Sequence, residues 1–188
     1  IGFLMNQFSE RNLKKRLDEA IPYKLSPLKI KCFEKNKKIK ESLAFNDVSL
    51  IRSSSKIAKI KIEVNNKTRI EEFLGDGCLI ATPAGSSAYN LSLRGPVIPV
   101  GAKVLALTPI SPYRPRRWRG ALLTNDAKIT LYAIDSKLRP VRAEADFMQF
   151  ENIDRLEIEL EKKLFVNLLF DPGHDLEERI INEQFNNS

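Results

Sequence analysis

"LGDGCLIATPAGSSAYNLSLRGP", Leu74 to Pro96, sets an apolar strand between two glycine turns and follows it with Thr, Ser, Ser and Tyr in quick succession. Asp76 and Gly77 turn the chain into the apolar run 78–81, which reads as a buried strand that Thr82 and Pro83 end. The "AGSS" of 84–87 then leads into "AYNLSL", where Ser86 or Ser87 is placed to cap a short helix that Gly95 and Pro96 terminate. Free backbone N–H groups and the partial positive charge at such a helix start favour a phosphate or a ribose-phosphate edge. On these residues alone two readings stay open: a nucleotide site, or a strand-turn-helix corner whose hydroxyls only cap backbone groups. Two common phosphate motifs do not fit. A Walker A loop needs Gly-Lys-Ser/Thr, whereas Gly85 is followed by Ser86 and Ser87; a dinucleotide fingerprint needs a third glycine where Ile80 stands.

Outward from this stretch, strands dominate. "KIKCFEK", the turn "NKK" and "IKESLAFNDVSLI" predict a hairpin whose second strand runs on to Leu50. "KIAKIKIEV" alternates Ile60, Ile62 and Val64 with Lys59, Lys61 and Glu63, and "NNK" turns it back into "TRIEEFL". "VLALTPI", "AKITLYAI", "RPVRAEAD", "DRLEIELE" and "LFVNLLF" follow at the spacing of a β-sandwich. Helices are expected only near the ends. One spans Ser9 to Ala20, with Ser9 as cap and Leu13, Leu17 and Ala20 on one side; the other starts at Asp175, with Glu178 at the capping-box position.

Composition bounds the function. With 188 residues, 43% hydrophobic and 29% charged, the chain can bury one good core and shows no disordered bias. The longest nearly apolar run, 97–110, is interrupted by Lys103, Gly101 and two prolines and is too short to span a bilayer, so no membrane partner is expected. Cys32 and Cys78 lie far apart in strand patterns and read as buried free thiols, which favours a cytoplasmic location over a disulfide framework. A lone histidine, His174, offers no zinc ligand set, and no structural metal is expected. The net charge of +7 suits anionic partners such as nucleotides, nucleic acid or phosphorylated metabolites, without choosing among them. The opening Ile1–Asn6 has no basic leader, no cleavage site and no initiator Met, and reads as the start of a fragment.

The stretch 76–92, "DGCLIATPAGSSAYNLS", closely resembles the signature of the NAD kinase family: Asp-Gly, an apolar strand, then Thr-Pro-Thr-Gly-Ser-Thr-Ala-Tyr. Further segments are similar in the same order. "IGFLM" at 1–5 resembles a Leu-Gly-Phe-Leu segment, residues Ala44 to Val48 echo Ala-Leu-Asn-Glu-Val, "GPVIPVGAKVLALTPISP" resembles a Gly-Pro stretch followed by Thr-Pro-Ile-x-Pro, and "FDPGHDLEERIINEQF" is similar to the tail of a bacterial branch.

The resemblance implies transfer of the γ-phosphoryl group of ATP, or in some members polyphosphate, to the 2′-hydroxyl of the adenosine ribose of NAD, giving NADP, with Mg²⁺ accompanying ATP. It implies a mainly β fold: the family's C-terminal β-sandwich with helical remnants of an N-terminal α/β domain at both chain ends. The corresponding boundaries are 1–21 for the end of the N-terminal domain, 22–172 for the NAD-binding sandwich, and 173–188 for a helix packing back on the first domain. Asn46 and Asp47 match the Asn-Glu pair that holds adenosine groups; Asp for Glu shortens the reach by roughly 1.5 Å, so a hydroxyl contact there becomes water-mediated or is lost. Asp76 matches the Asp of Asp-Gly, a substrate contact or an organiser of the facing loop, against the plainer reading of a turn aspartate. Ala84, Ser87, Ala88 and Tyr89 match the loop that meets adenine and ribose, with Ser87 keeping the hydroxyl of a family Thr, and Ser92 matches a later polar contact. Tyr89 is also readable as a half-buried core tyrosine.

The family's Gly-Gly-Asp-Gly loop, carrying the general-base aspartate, lies before the Leu-Gly-Phe-Leu segment and so upstream of Ile1; no catalytic residue is assigned, and this fragment alone is expected to be inactive. Assembly as a homodimer or homotetramer is the family's habit. "SPYRPRRWRG" at 111–120 surrounds Trp118 with four arginines and supports an alternative, a basic nucleic-acid-binding β module, beside the plainer reading of a solvated turn with Trp118 pinned into the sandwich. A noncatalytic NAD(P)-binding domain is the other alternative.

Overall fold

The protein is described as a computed structural model over residues 8–172. Numbered along the chain, the strands are β1 (Ile21–Leu25), β2 (Leu28–Glu34), β3 (Lys37–Ala44), β4 (Asp47–Arg52), β5 (Ala58–Val64), β6 (Lys67–Gly75), β7 (Gly77–Ala81), β8 (Val104–Ile110), β9 (Ala121–Thr124), β10 (Ile129–Ala133), β11 (Val141–Ala145), β12 (Met148–Phe150), β13 (Arg155–Leu160) and β14 (Val166–Phe170). Helices are α1 (Leu13–Glu19) and α2 (Tyr89–Ser92), the latter preceded by a 3₁₀ turn, Ala84–Ser87.

The period-two patterns fold into two six-stranded sheets, ordered β3-β2-β13-β10-β5-β6 and β12-β11-β4-β7-β8-β9, beside a two-stranded ribbon of β1 and β14. Every pairing among these strands is antiparallel. The first sheet turns Leu28, Ile30, Ile60, Ile62, Ile129, Leu131, Leu156 and Ile158 inward against Val48, Leu50, Ile80, Leu105, Leu107 and Val141 of the second. Its other face carries the alternate charged positions, with Lys31 opposite Glu157 and Lys29 opposite Glu159. Alternation of this kind is what one buried and one solvated face require.

The second sheet differs. Its strand β7 is buried at every position, because Leu79 and Ala81 on the outer face join Ile98, Ala106 and Ile110 in a second apolar cluster. That double burial explains why 78–81 reads as a continuous apolar run rather than an alternating one. Cys32 and Cys78 are buried free thiols; burial pushes the Cys32 thiol up to about 11 and the Cys78 thiol higher still.

Three expectations change. The strand predicted to run unbroken to Leu50 is two strands: β3 ends at Ala44 in the first sheet and β4 begins at Asp47 in the second, so residues 45–46 carry the chain from one layer to the other. A period-two pattern continues through such a crossing because both halves turn alternate residues into the same core. The first helix starts at Leu13 rather than Ser9: Asn12, at φ 54°, precedes it, while the Ser9 hydroxyl accepts the Arg11 N–H at 3.3 Å. Its Leu13 and Leu17 are exposed, and Arg16 ties it to Asp171 through a fork of 2.9 and 2.6 Å. Strands β1, β9 and β12 were not anticipated. The segments 1–5 and 175–188 used in the family resemblance, including the closing helix, and His174 lie outside the described residues.

Candidate functional site

The corner after β7 is built around hydroxyls that work internally. The Thr82 hydroxyl donates to the Phe45 carbonyl at 2.7 Å and accepts the Gly85 N–H at 3.1 Å, and the Thr82 N–H donates to the Asn46 carbonyl at 2.9 Å. Gly85 lies so close to the crossing that a Cβ there would stand 2.0 Å from the Asn46 carbonyl oxygen. Buried Ser86 donates to the Pro83 carbonyl at 2.7 Å and accepts the Ile98 N–H at 2.8 Å. Buried Asn90 donates to the carbonyls of Ser86 and Pro96 and accepts from the Thr108 hydroxyl at 2.6 Å, which fastens the whole 84–98 segment to the outer face of β8.

The helix-capping expectation therefore fails. Neither Ser86 nor Ser87 caps: α2 is preceded by Ala88, has no side-chain cap bond, and is one turn long. The Gly85, Ser86 and Ala88 N–H groups are bound within the corner, so these three are not donors to a phosphate there.

Several of the predicted site side chains fall into a different class from the internal ones. Among the described residues, Asn46, Asp47, Ser87, Tyr89 and Ser92 make no side-chain hydrogen bond. Asn46 and Ser87 are half-buried, Ser92 is exposed and Tyr89 is 42% exposed, so Tyr89 is not a core residue. Ala84 is buried and lines a hollow of about 340 Å³ with Phe45, Thr82, Lys24 and Lys103; Ala88 is half-buried at the junction of the 3₁₀ turn and α2.

Alternation puts Asp47, Ser49 and Ile51 on the outer face of the second sheet, since Val48 and Leu50 face the core. Register sets Glu144 beside Ser49 and Arg142 beside Ile51, and Glu144 beside Gln149. Arg142 Nε donates to Glu144 at 2.7 Å. At the far end of this strip, about 13 Å along β4 at the usual strand rise, Asp76 accepts from Arg52 Nε at 2.6 Å. Burial first, then the carboxylates of Glu144, Asp76 and Asp47, raise the Tyr89 hydroxyl. Asp47 itself is pushed up to about 6, by burial first and then by the charges of Asp146 and Glu144.

Asp146 has no counterpart in the sequence reading. It occupies the turn between β11 and β12 at φ 50°, and its carboxylate accepts the N–H groups of Phe45, Asn46 and Asp47 at 2.7, 2.9 and 3.3 Å. The local text "EADF" signals a turn aspartate and nothing about partners a hundred residues away.

The arginine loop is a structural element in its aromatic part. Trp118 packs edge-on against Phe73, with ring centroids 5.7 Å apart, and joins the main core, while Arg116 lies over the Tyr113 ring at 5.2 Å. Among the described residues no group of three or more His, Cys, Asp or Glu is arranged to hold a metal ion, and no helix is long and apolar enough to cross a membrane.

A β-sandwich with hydroxyl, amide and carboxyl side chains left without internal bonds beside a Thr-Pro corner fits a nucleotide-handling protein. Comparison with known proteins narrows the class. A family model of the ATP-NAD kinase C-terminal domain matches residues 45–143. The chain is 49% identical over 185 residues to the NAD kinase of Xylella fastidiosa, covering 98% of this chain and 71% of that protein. It is 45% identical over 185 residues to the NAD kinase of Hyphomonas neptunium, covering 98% and 72%. Among solved structures, yeast NADH kinase complexed with NADH superposes with a TM-score of 0.85 at 25% identity, over 100% of this chain and 57% of that one. An NAD kinase from Archaeoglobus fulgidus in complex with ATP shares the fold, with a TM-score of 0.69 over 91% of this chain and 63% of that one. The chain belongs to the NAD kinase family.

Proposed function

We propose that this chain supplies the dinucleotide cradle of an NAD kinase, which transfers the γ-phosphoryl group of ATP to the 2′-hydroxyl of the adenosine ribose of NAD. The observation that carries the reading is the division of polar groups at the corner. Thr82, Ser86, Asn90 and Thr108 are saturated by internal bonds, whereas Asn46, Asp47, Ser87 and Tyr89 beside them are not. Side chains that the fold leaves without internal bonds and open to solvent are the ones available to a ligand.

In this reading the Asn46 amide and the Asp47 carboxylate hold adenosine hydroxyl and base edges, Tyr89 presents its ring face, and Ser87, Ala88, Ser92 and Ala84 border the same nucleoside. Asp76, held by Arg52, organises the far end of the strip. Phosphoryl transfer depends on positioning and electrostatics more than on covalent chemistry, so orienting the ribose is the contribution these residues make. The general base is assigned, on family resemblance, to a Gly-Gly-Asp-Gly loop outside this sequence. Mg²⁺ enters with the phosphates of ATP. Homodimeric or homotetrameric assembly and a cytoplasmic setting belong to the same proposal.

The test is an assay of the protein expressed from its full reading frame, with NAD, ATP and Mg²⁺. NADP formation supports the reading, together with a strongly raised NAD requirement in Asn46→Ala. Binding of NADP without turnover would favour the noncatalytic alternative. The nucleic-acid reading loses its stacking residue, because Trp118 is packed on Phe73.

A further inference from the structure

Residues 45–47 are the joint at which the chain leaves one sheet and enters the other, and they carry the half-buried polar side chains of Asn46 and Asp47. Nothing in their own sequence fixes the backbone of that joint. Its carbonyl side is held from β7, through Thr82 and the close approach of Gly85. Its N–H side is held by a single carboxylate, Asp146, which receives three consecutive backbone donors. The Asp146 N–H returns a bond to the Asp47 carbonyl at 3.2 Å, so the turn and the joint are locked in both directions.

We propose that Asp146 is a positioning residue for dinucleotide binding: by holding the amides of residues 45–47 it sets the direction in which the Asn46 and Asp47 side chains project. The inference rests on the cradle reading above. A carboxylate accepting several backbone N–H groups forms charge-assisted bonds about twice as strong as neutral ones. Small misplacements at such a site cost large factors in rate or affinity.

The test compares Asp146→Asn and Asp146→Gly with Asp154→Asn in the protein expressed from its full reading frame. Both replacements tolerate the left-handed backbone at this position, so the turn is preserved. Asp154 is the matched control: its carboxylate accepts the Lys35 N–H and the Ser136 hydroxyl, both at 2.6 Å, at the opposite end of β2 and β3. The expected result is a KM and a Kd for NAD raised about tenfold in Asp146→Asn, equivalent to about 1.4 kcal/mol, and raised further in Asp146→Gly. The KM for ATP stays unchanged, hydrogen exchange at amides 45–47 accelerates, and Asp154→Asn leaves NAD binding as it was. Combined with Asn46→Ala, Asp146→Asn adds little, because it acts through that residue. Unchanged NAD affinity despite faster exchange at 45–47, an equal loss in Asp154→Asn, or full additivity with Asn46→Ala would each overturn the inference. If Asn46→Ala itself leaves NAD affinity intact, the cradle reading fails, an outcome distinct from Asp146→Asn alone having no effect.

Discussion

The Gly85 Cα faces the Asn46 carbonyl so closely that any side chain at 85 would meet it at 2.0 Å. The contact joins the corner after β7 to the sheet-to-sheet crossing, and it forces the two to move together. Gly85→Ala is expected to displace the crossing, lowering stability by about 1–3 kcal/mol, the usual cost of overpacking a filled site. Denaturant unfolding measures that loss, and an NAD titration of the folded fraction should show weakened binding.

Adjacent serines should behave oppositely. Ser86→Ala leaves the buried Ile98 N–H without its acceptor and should cost about 1–3 kcal/mol. Ser87→Ala removes a hydroxyl with no internal partner, so its stability should stay within about 0.5 kcal/mol of the parent while NAD affinity falls. Thermal melts and calorimetric titration on the pair separate the scaffold from the cradle. A drop in stability for Ser87→Ala with unchanged NAD affinity would place its hydroxyl in the scaffold.

Asp47 is expected to make the site sensitive to pH. Its folded value, about 6, lies above that of a free aspartate, so the native state favours the protonated form. This group's contribution to stability is therefore greatest at low pH, declines as pH rises from about 4 to about 6, and is constant above. Ligand binding through an ionised Asp47 runs the other way: NAD affinity should fall as pH drops through about 6. Asp47→Asn should flatten that profile, which an affinity measurement across pH 5 to 8 would show.

Trp118 carries a fourth expectation. Its ring joins the core through Phe73, so Trp118→Ala should cost about 3 kcal/mol, near the lower end for a buried aromatic because this ring is only partly enclosed. Steep, salt-dependent RNA binding by the parent that disappears when Arg116, Arg117 and Arg119 are neutralised would instead make the loop a nucleic-acid surface.

Much of the fold was legible because its strands bury one face: the alternation at 58–64 and 155–160 reads directly as inward and outward positions. The continuous burial of 77–81 was legible too, as an apolar run. Short edge strands escaped notice. β12 has three residues with only Phe150 inward, and β9 has no fully buried residue, so neither produces a pattern. The crossing at 45–46 was hidden because a change of sheet need not disturb the alternation. At the corner, the sequence presented Ser86 and Ser87 as equivalent caps; only the fold distinguishes one bound to Ile98 from one facing outward. Asp146 was invisible for the same reason, its acceptors being used by residues about a hundred positions earlier.

The crossing draws its constraints from the corner after β7 and from the β11–β12 turn, contacts separated by 36 to 101 residues in sequence. No stretch of the chain shorter than residues 45–146 contains them all. The geometry at Asn46 is therefore expected to have no early, half-formed version during folding and to arise only when both layers have closed.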